Sequence, residues 1–112
     1  MQLTVEDLGN GVTRAVLVGR LDIEGANAVD MRFNVLAGSK RALVVDMADV
    51  SFLASMGLRT LITCARSISS KGGRMAIAAP QEGVLKVLTT SGADEIIAIH
   101  PTLDSAILFV AG

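Results

Sequence analysis

The chain has 112 residues, one histidine, one cysteine and a formal net charge of −1, with 10 Lys and Arg against 11 Asp and Glu. That length buries one core and not two, so a single domain over residues 1–112 is expected. The balance of charge leaves no basic field for a nucleic-acid backbone, no apolar run reaches the roughly 20 residues of a membrane span, and one cysteine excludes an internal disulfide.

The start of the chain alternates polar and apolar residues through Leu3 and Val5 and lacks a basic stretch followed by an apolar one. It reads as a strand and not as a signal peptide, and a cytoplasmic location is the expectation. Gly9-Asn10-Gly11 supplies turn chemistry and Val12–Val18 resumes a strand, giving an antiparallel hairpin. After Gly19-Arg20-Leu21-Asp22 the period changes. Ala26, Val29, Phe33 and Leu36 fall at helical spacing, so a first helix runs from about Glu24 to Ala37, stopped by Gly38.

Ala42-Leu43-Val44-Val45 is a continuous apolar run, the mark of a central strand covered on both faces. A loop is expected from Asp46 to Ser55, followed by an amphipathic helix bearing Leu58, Leu61, Ile62, Ala65 and Ile68 and ended by Gly72-Gly73. Met75–Ala78 is a further covered strand, stopped by Pro80. Val84, Leu85, Val87 and Leu88 predict a third helix closed near Ser91-Gly92, Ile96–Ile99 a short strand, and Thr102 the cap of a last helix. The fold class is α/β: a sandwich with a mixed, mostly parallel sheet of four to five strands, about four helices and an opening β-hairpin.

Open parallel sheets carry their sites beyond the carboxyl ends of the strands, which is where Ser55 falls. As a helix cap its hydroxyl would contribute about 0.5–2 kcal/mol. As an acceptor of a phosphoryl group it would add about −1.5 to −2 charges at a helix terminus that tolerates an anion. Catalysis finds little support. His100, the only imidazole, precedes Pro101 in an expected turn, and Ser55 is not in a Gly-x-Ser-x-Gly elbow. Phosphate-binding loop and dinucleotide fingerprints are absent, and Asp46 and Asp49 read as turn formers, so neither cofactor nor metal is expected. Asp22 is placed to cap the first helix, Cys64 reads as a small buried hydrophobe, and Arg59 and Arg66 form a solvated basic stripe. Phe52, Leu53 and Met56 are apolar residues in or next to a connecting loop, where they must tuck under it or face a partner; Gly57 beside them would let a partner approach.

Val44-Val45-Asp46-Met47-Ala48-Asp49-Val50-Ser51-Phe52-Leu53-Ala54-Ser55-Met56-Gly57-Leu58 resembles the signature segment of STAS domains, the sulphate-transporter and anti-sigma factor antagonist family. That signature reads hydrophobic-hydrophobic-Asp-Leu-x-x-Val-x-Phe-[Ile/Met]-Asp-Ser-[Ser/Thr]-Gly-Leu. Gly19-Arg20-Leu21-Asp22 resembles the family's earlier Gly-x-[Leu/Ile]-Asp element. The resemblance spans nearly the whole chain and implies the stand-alone bacterial type.

What it implies is a partner-switching regulator of transcription and not an enzyme. The unphosphorylated antagonist sequesters a serine-kinase anti-sigma factor, the kinase phosphorylates it and is released, and a serine phosphatase restores the cycle. The phosphoacceptor falls on Ser55, and the partner-binding set on Asp22, Phe52, Leu53, Ala54, Ser55, Met56, Gly57 and Arg59. Ala54 stands where the motif has Asp, and Met56 where it has Ser or Thr. The first change removes a carboxylate that could hold the hydroxyl or engage the kinase; the second adds a flexible apolar contact. A constitutive, non-phosphorylated adaptor in a transporter or stress-signalling assembly is the alternative, and an oligomer is compatible with either.

Overall fold

In the computed structural model, which describes all 112 residues, Asn10 and Gly11 both take positive φ, 54° and 80°, as a two-residue type I′ turn requires. This turn joins β1 (Gln2–Gly9) to β2 (Val12–Leu21) as an antiparallel pair in which Val5 faces Ala15. From there the chain alternates: α1 (Ile23–Ser39), β3 (Ala42–Leu53), α2 (Ser55–Ser70), β4 (Arg74–Ala78), α3 (Glu82–Thr90), a single 3-10 turn (Ala93–Glu95), β5 (Ala98–His100) and α4 (Leu103–Ala111). The strands lie in the order β1-β2-β3-β4-β5, parallel from β2 onward.

Crossovers of one hand that each advance one strand in the same direction put their helices on one face. Val29, Phe33 and Leu36 of α1, Leu61, Ala65 and Ile68 of α2, and Val84 and Leu88 of α3 accordingly share one buried cluster with Leu17, Leu43, Val45, Met47 and Ile77 of the sheet. The other face is covered by α4 alone, whose Ala106 and Val110 pack on Val44, Ala76 and Ala78. No helix is long and apolar enough to cross a membrane.

Four expectations change. β3 does not end at Val45 but runs to Leu53, because the register with β2 absorbs irregularities between Val16 and Val18 and between Gly19 and Arg20 and then continues to the Leu21–Leu53 pair. The segment from Asp46 onward, expected as a loop, is therefore strand. Asp46 is not a turn former: its Oδ2 accepts from Arg14 Nη2 at 2.6 Å and Nε at 3.2 Å, while Arg14 Nη1 reaches Glu6 at 3.2 Å. This strap ties β1, β2 and β3 together, and the hydrogen bond to Asp46 raises the Arg14 pKa above its ordinary value. Ile96 and Ile97 precede β5 instead of belonging to it, and His100 is the last residue of that strand and not part of a turn, its ring 5.3 Å from that of Phe109.

Candidate functional site

The carboxyl ends of β2 and β3 lead directly into α1 and α2, so two helix N-termini open at one edge of the sheet. Leu21 fixes their separation. Its carbonyl accepts from Ala54 N at 3.0 Å, and its buried side chain lies under α2. Next in sequence, Asp22 caps α1: its Oδ1 accepts from Gly25 N at 2.8 Å and its carbonyl from Ala26 N at 2.8 Å. Gly25 is required there, since a Cβ would collide with the Arg20 carbonyl.

The Gly25 hydrogen bond, with Arg20 3.6 Å away, holds the Asp22 carboxyl below its ordinary value of 3.8. Because the folded value is depressed, the stabilisation is present above pH 3.8 and is lost as pH falls through the folded value. Urea unfolding of wild type and Asp22→Asn from about pH 6 down to about pH 2 should give a shallower acid loss in the variant; identical slopes would show that this carboxylate carries none of the pH dependence.

α2 begins differently. Its N-cap is Ala54, which has no side-chain acceptor, and its first turn holds no acidic residue. Ser55 is thus the first helical residue and not the cap, which leaves its exposed hydroxyl outside any capping role. Phe52 and Met56 flank it in sequence, 40% and 37% exposed. The Arg20 guanidinium lies over the Phe52 ring at 4.4 Å, so Arg20 connects Phe52 to Asp22 across the strand ends. Arg59, exposed one turn beyond Ser55, lines a polar cleft of about 270 Å³ between α1 and α2 together with Asn27, Asp30, Met56 and Thr60.

The edge therefore brings together Asp22, Phe52, Ser55, Met56 and Arg59 as accessible groups, with Ala54 half-buried between them. Leu53 is only 3% exposed and belongs to the core, so its side chain supports this surface from beneath. Gly57 is buried as well. The close approach it permits is internal: a Cβ would lie 2.6 Å from Leu21 Cγ and 2.8 Å from Leu21 O. Sequence reasoning missed Arg20, Asn27, Asp30 and Thr60. Arg20 was accessible to it, because alternation along β2 with Leu21 inward turns Arg20 outward beside Phe52.

Elsewhere, Cys64 donates its thiol toward Phe33 O at 3.8 Å, and burial pushes its pKa up to about 12, so it is unreactive as a nucleophile. His100 lines a separate concavity of about 500 Å³ with Pro80, Leu85 and Pro101, which does not include Ser55.

A five-stranded sheet with three crossover helices on one face, one helix on the other and two helix N-termini open at a strand-end edge defines a small α/β sandwich module. The sequence model of the STAS domain matches residues 10–106, and the chain belongs to that family. A Thermotoga neapolitana protein named as an anti-sigma factor antagonist homologue is 33% identical over 75 residues, covering 67% of this chain and 66% of that protein, just under two thirds of its length. The crystal structure of a Thermotoga maritima protein described as an anti-sigma factor antagonist superposes with a TM-score of 0.89 at 25% identity, over 98% of this chain and 95% of the other. That of an anti-sigma factor antagonist from Mycobacterium paratuberculosis gives 0.88 at 29% identity, over 99% and 94%.

Proposed function

We propose that this protein is an anti-sigma factor antagonist that binds a serine-kinase anti-sigma factor through the edge formed by Asp22, Phe52, Ala54, Ser55, Met56 and Arg59, and that phosphorylation of Ser55 ends the complex. The observation that carries the reading is the position of Ser55: exposed, first in α2, and next to two half-exposed apolar side chains. A phosphoryl group there meets free backbone N–H groups and the positive end of the helix dipole, so the fold accepts it. The same dianion opposes an interface that must desolvate Phe52 and Met56. Leu53 and Gly57 take part by holding the edge in shape. A serine phosphatase completes the cycle, which the reading places in the cytoplasm.

Ala54 and the half-exposed Met56 favour a second reading, a constitutive adaptor that binds without being modified. One experiment separates the two. The purified chain is incubated with ATP and the serine-kinase anti-sigma factor of its own genome, and the mixture is read by intact mass and by gel filtration. A single phosphoryl increment, absent in Ser55→Ala and accompanied by loss of the complex, is the expected result. A stable complex in which the wild type stays unmodified would establish the adaptor.

A further inference from the structure

The two edges of the sheet are unlike. β5 has three residues, whereas β1 has eight and nothing pairs with its outer side. Leu3, Val5 and Asp7 face Leu17, Ala15 and Thr13, which puts their side chains on the face carrying α1. The Leu3 carbonyl points outward, because Arg32 Nη1 of α1 donates to it at 2.6 Å. The backbone groups of Val5 and Asp7 point the same way by alternation. Beside this edge lies an apolar groove of about 340 Å³ lined by Val5, Met31, Val35, Leu36 and the stem of Arg32. Met31 is 78% exposed and Val35 63%.

We infer that β1 is a dimer edge: two copies of this chain join their sheets by antiparallel β1–β1 pairing about a two-fold axis at Val5. The charges select both the occupant and the register. With the axis at Val5, Leu3 of one copy stands opposite Asp7 of the second. That carboxylate rises on the helix-bearing face, where Arg32 already reaches Leu3. Two-fold symmetry makes the Asp7–Arg32 pair twice, as an isologous interface demands. Moving the axis to Glu6 would set two Glu6 carboxylates against each other, and moving it to Thr4 would carry Asp7 past the end of the partner strand. Pairing requires the Leu3 carbonyl to accept from the Asp7 N–H of the second copy. Arg32 therefore exchanges a neutral carbonyl for a carboxylate, a stronger bond for a guanidinium. In the free chain Arg32 occupies the edge, which guards β1 against indiscriminate strand addition. The continuous sheet brings the two α1 helices to the same face, one on each side of the seam, and covers Met31 and Val35.

Sedimentation equilibrium on the intact chain tests this, with circular dichroism confirming that each variant is folded. Wild type should be dimeric, and Asp7→Lys and Arg32→Asp should each raise the dimer dissociation constant about tenfold or more. An equimolar mixture of the two variants should recover a dimer, because in the heterodimer Lys meets Asp at one contact and the native Asp7 meets the native Arg32 at the other. Asp7 also accepts from Gly9 N at 2.9 Å, so Val5→Lys, which sets two lysines at the axis without touching the turn, serves as a second dissociating variant. A wild type that stays monomeric up to about 0.5 mM overturns the inference. So does a dimer that Val5→Lys leaves intact, or a variant mixture that fails to associate.

Discussion

Ser55→Asp is expected to weaken binding to the anti-sigma factor by about thirtyfold or more while leaving the free protein as stable as wild type or slightly more so. The two effects have opposite signs because the same charge meets different surroundings. In the free protein a carboxylate at the first position of α2 faces uncapped N–H groups with no other acidic residue in that turn, a setting worth about 0.3–1 kcal/mol in its favour. In the proposed complex that charge is removed from water against the exposed Phe52 and Met56, and an unpaired charge in an interface costs about 2–5 kcal/mol. At about 1.4 kcal/mol per factor of ten, the lower end already exceeds a tenfold loss and the middle exceeds a hundredfold. Phosphoserine, with about twice the charge, should weaken binding further. Calorimetric titration together with a thermal melt reads both quantities from one preparation. Binding within about threefold of wild type would mean that the edge meets its partner away from Ser55, as the adaptor reading requires.

Gly57→Ala should cost about 1–3 kcal/mol of stability and weaken partner binding as well, although no partner touches the added methyl group. The new carbon would sit within 3.0 Å of both the side chain and the carbonyl of Leu21. The side chain can turn; the carbonyl cannot, because it accepts the Ala54 N–H at 3.0 Å. Relief must come from moving the start of α2 away from the end of β2, and that changes the spacing between Ser55 and Asp22. Gly38 and Gly83 are the internal controls. Each lies in a helix with open space where a methyl group would be added, so replacing either by Ala should raise stability by about 0.5–1 kcal/mol. If Gly57→Ala unfolds in urea as wild type does, contact with Leu21 does not set the geometry of the edge.

The order of elements was legible because each strand-to-helix change shifts the hydrophobic period. Phe33 and Leu36 recur at helical spacing and are buried, and the run Leu43-Val44-Val45 is buried on both sides. What escaped was the length of β3. From Asp46 to Phe52 the side chains alternate irregularly between the open face and the core, and two irregularities in the pairing with β2 break the two-residue period on which a strand is recognised. The same cause hid the role of Leu53, since a residue assigned to a loop cannot be given a face. Asp46 was misread because its partner Arg14 is 32 residues away, a distance at which pattern carries no information about pairing. The positions of Asp22 and Ser55 at one edge could be read, because both follow a strand and open a helix. The burial of Gly57 against Leu21 could not, since a glycine offers the same sequence signal whether its neighbour is a partner protein or its own chain.

The strands lie side by side in the order in which they occur along the chain. No strand has to be threaded between two already in place, so the sheet can grow outward from the hairpin during synthesis, each new strand arriving with the helix that covers it. α4 breaks that economy. Val44, Ala76 and Ala78 belong to strands laid down early, yet the helix that shields them spans residues 103–111 and leaves the ribosome after all five strands. The nascent protein thus carries an apolar face with no cover until α4 is made, which makes that helix the segment on which safe completion of this fold depends.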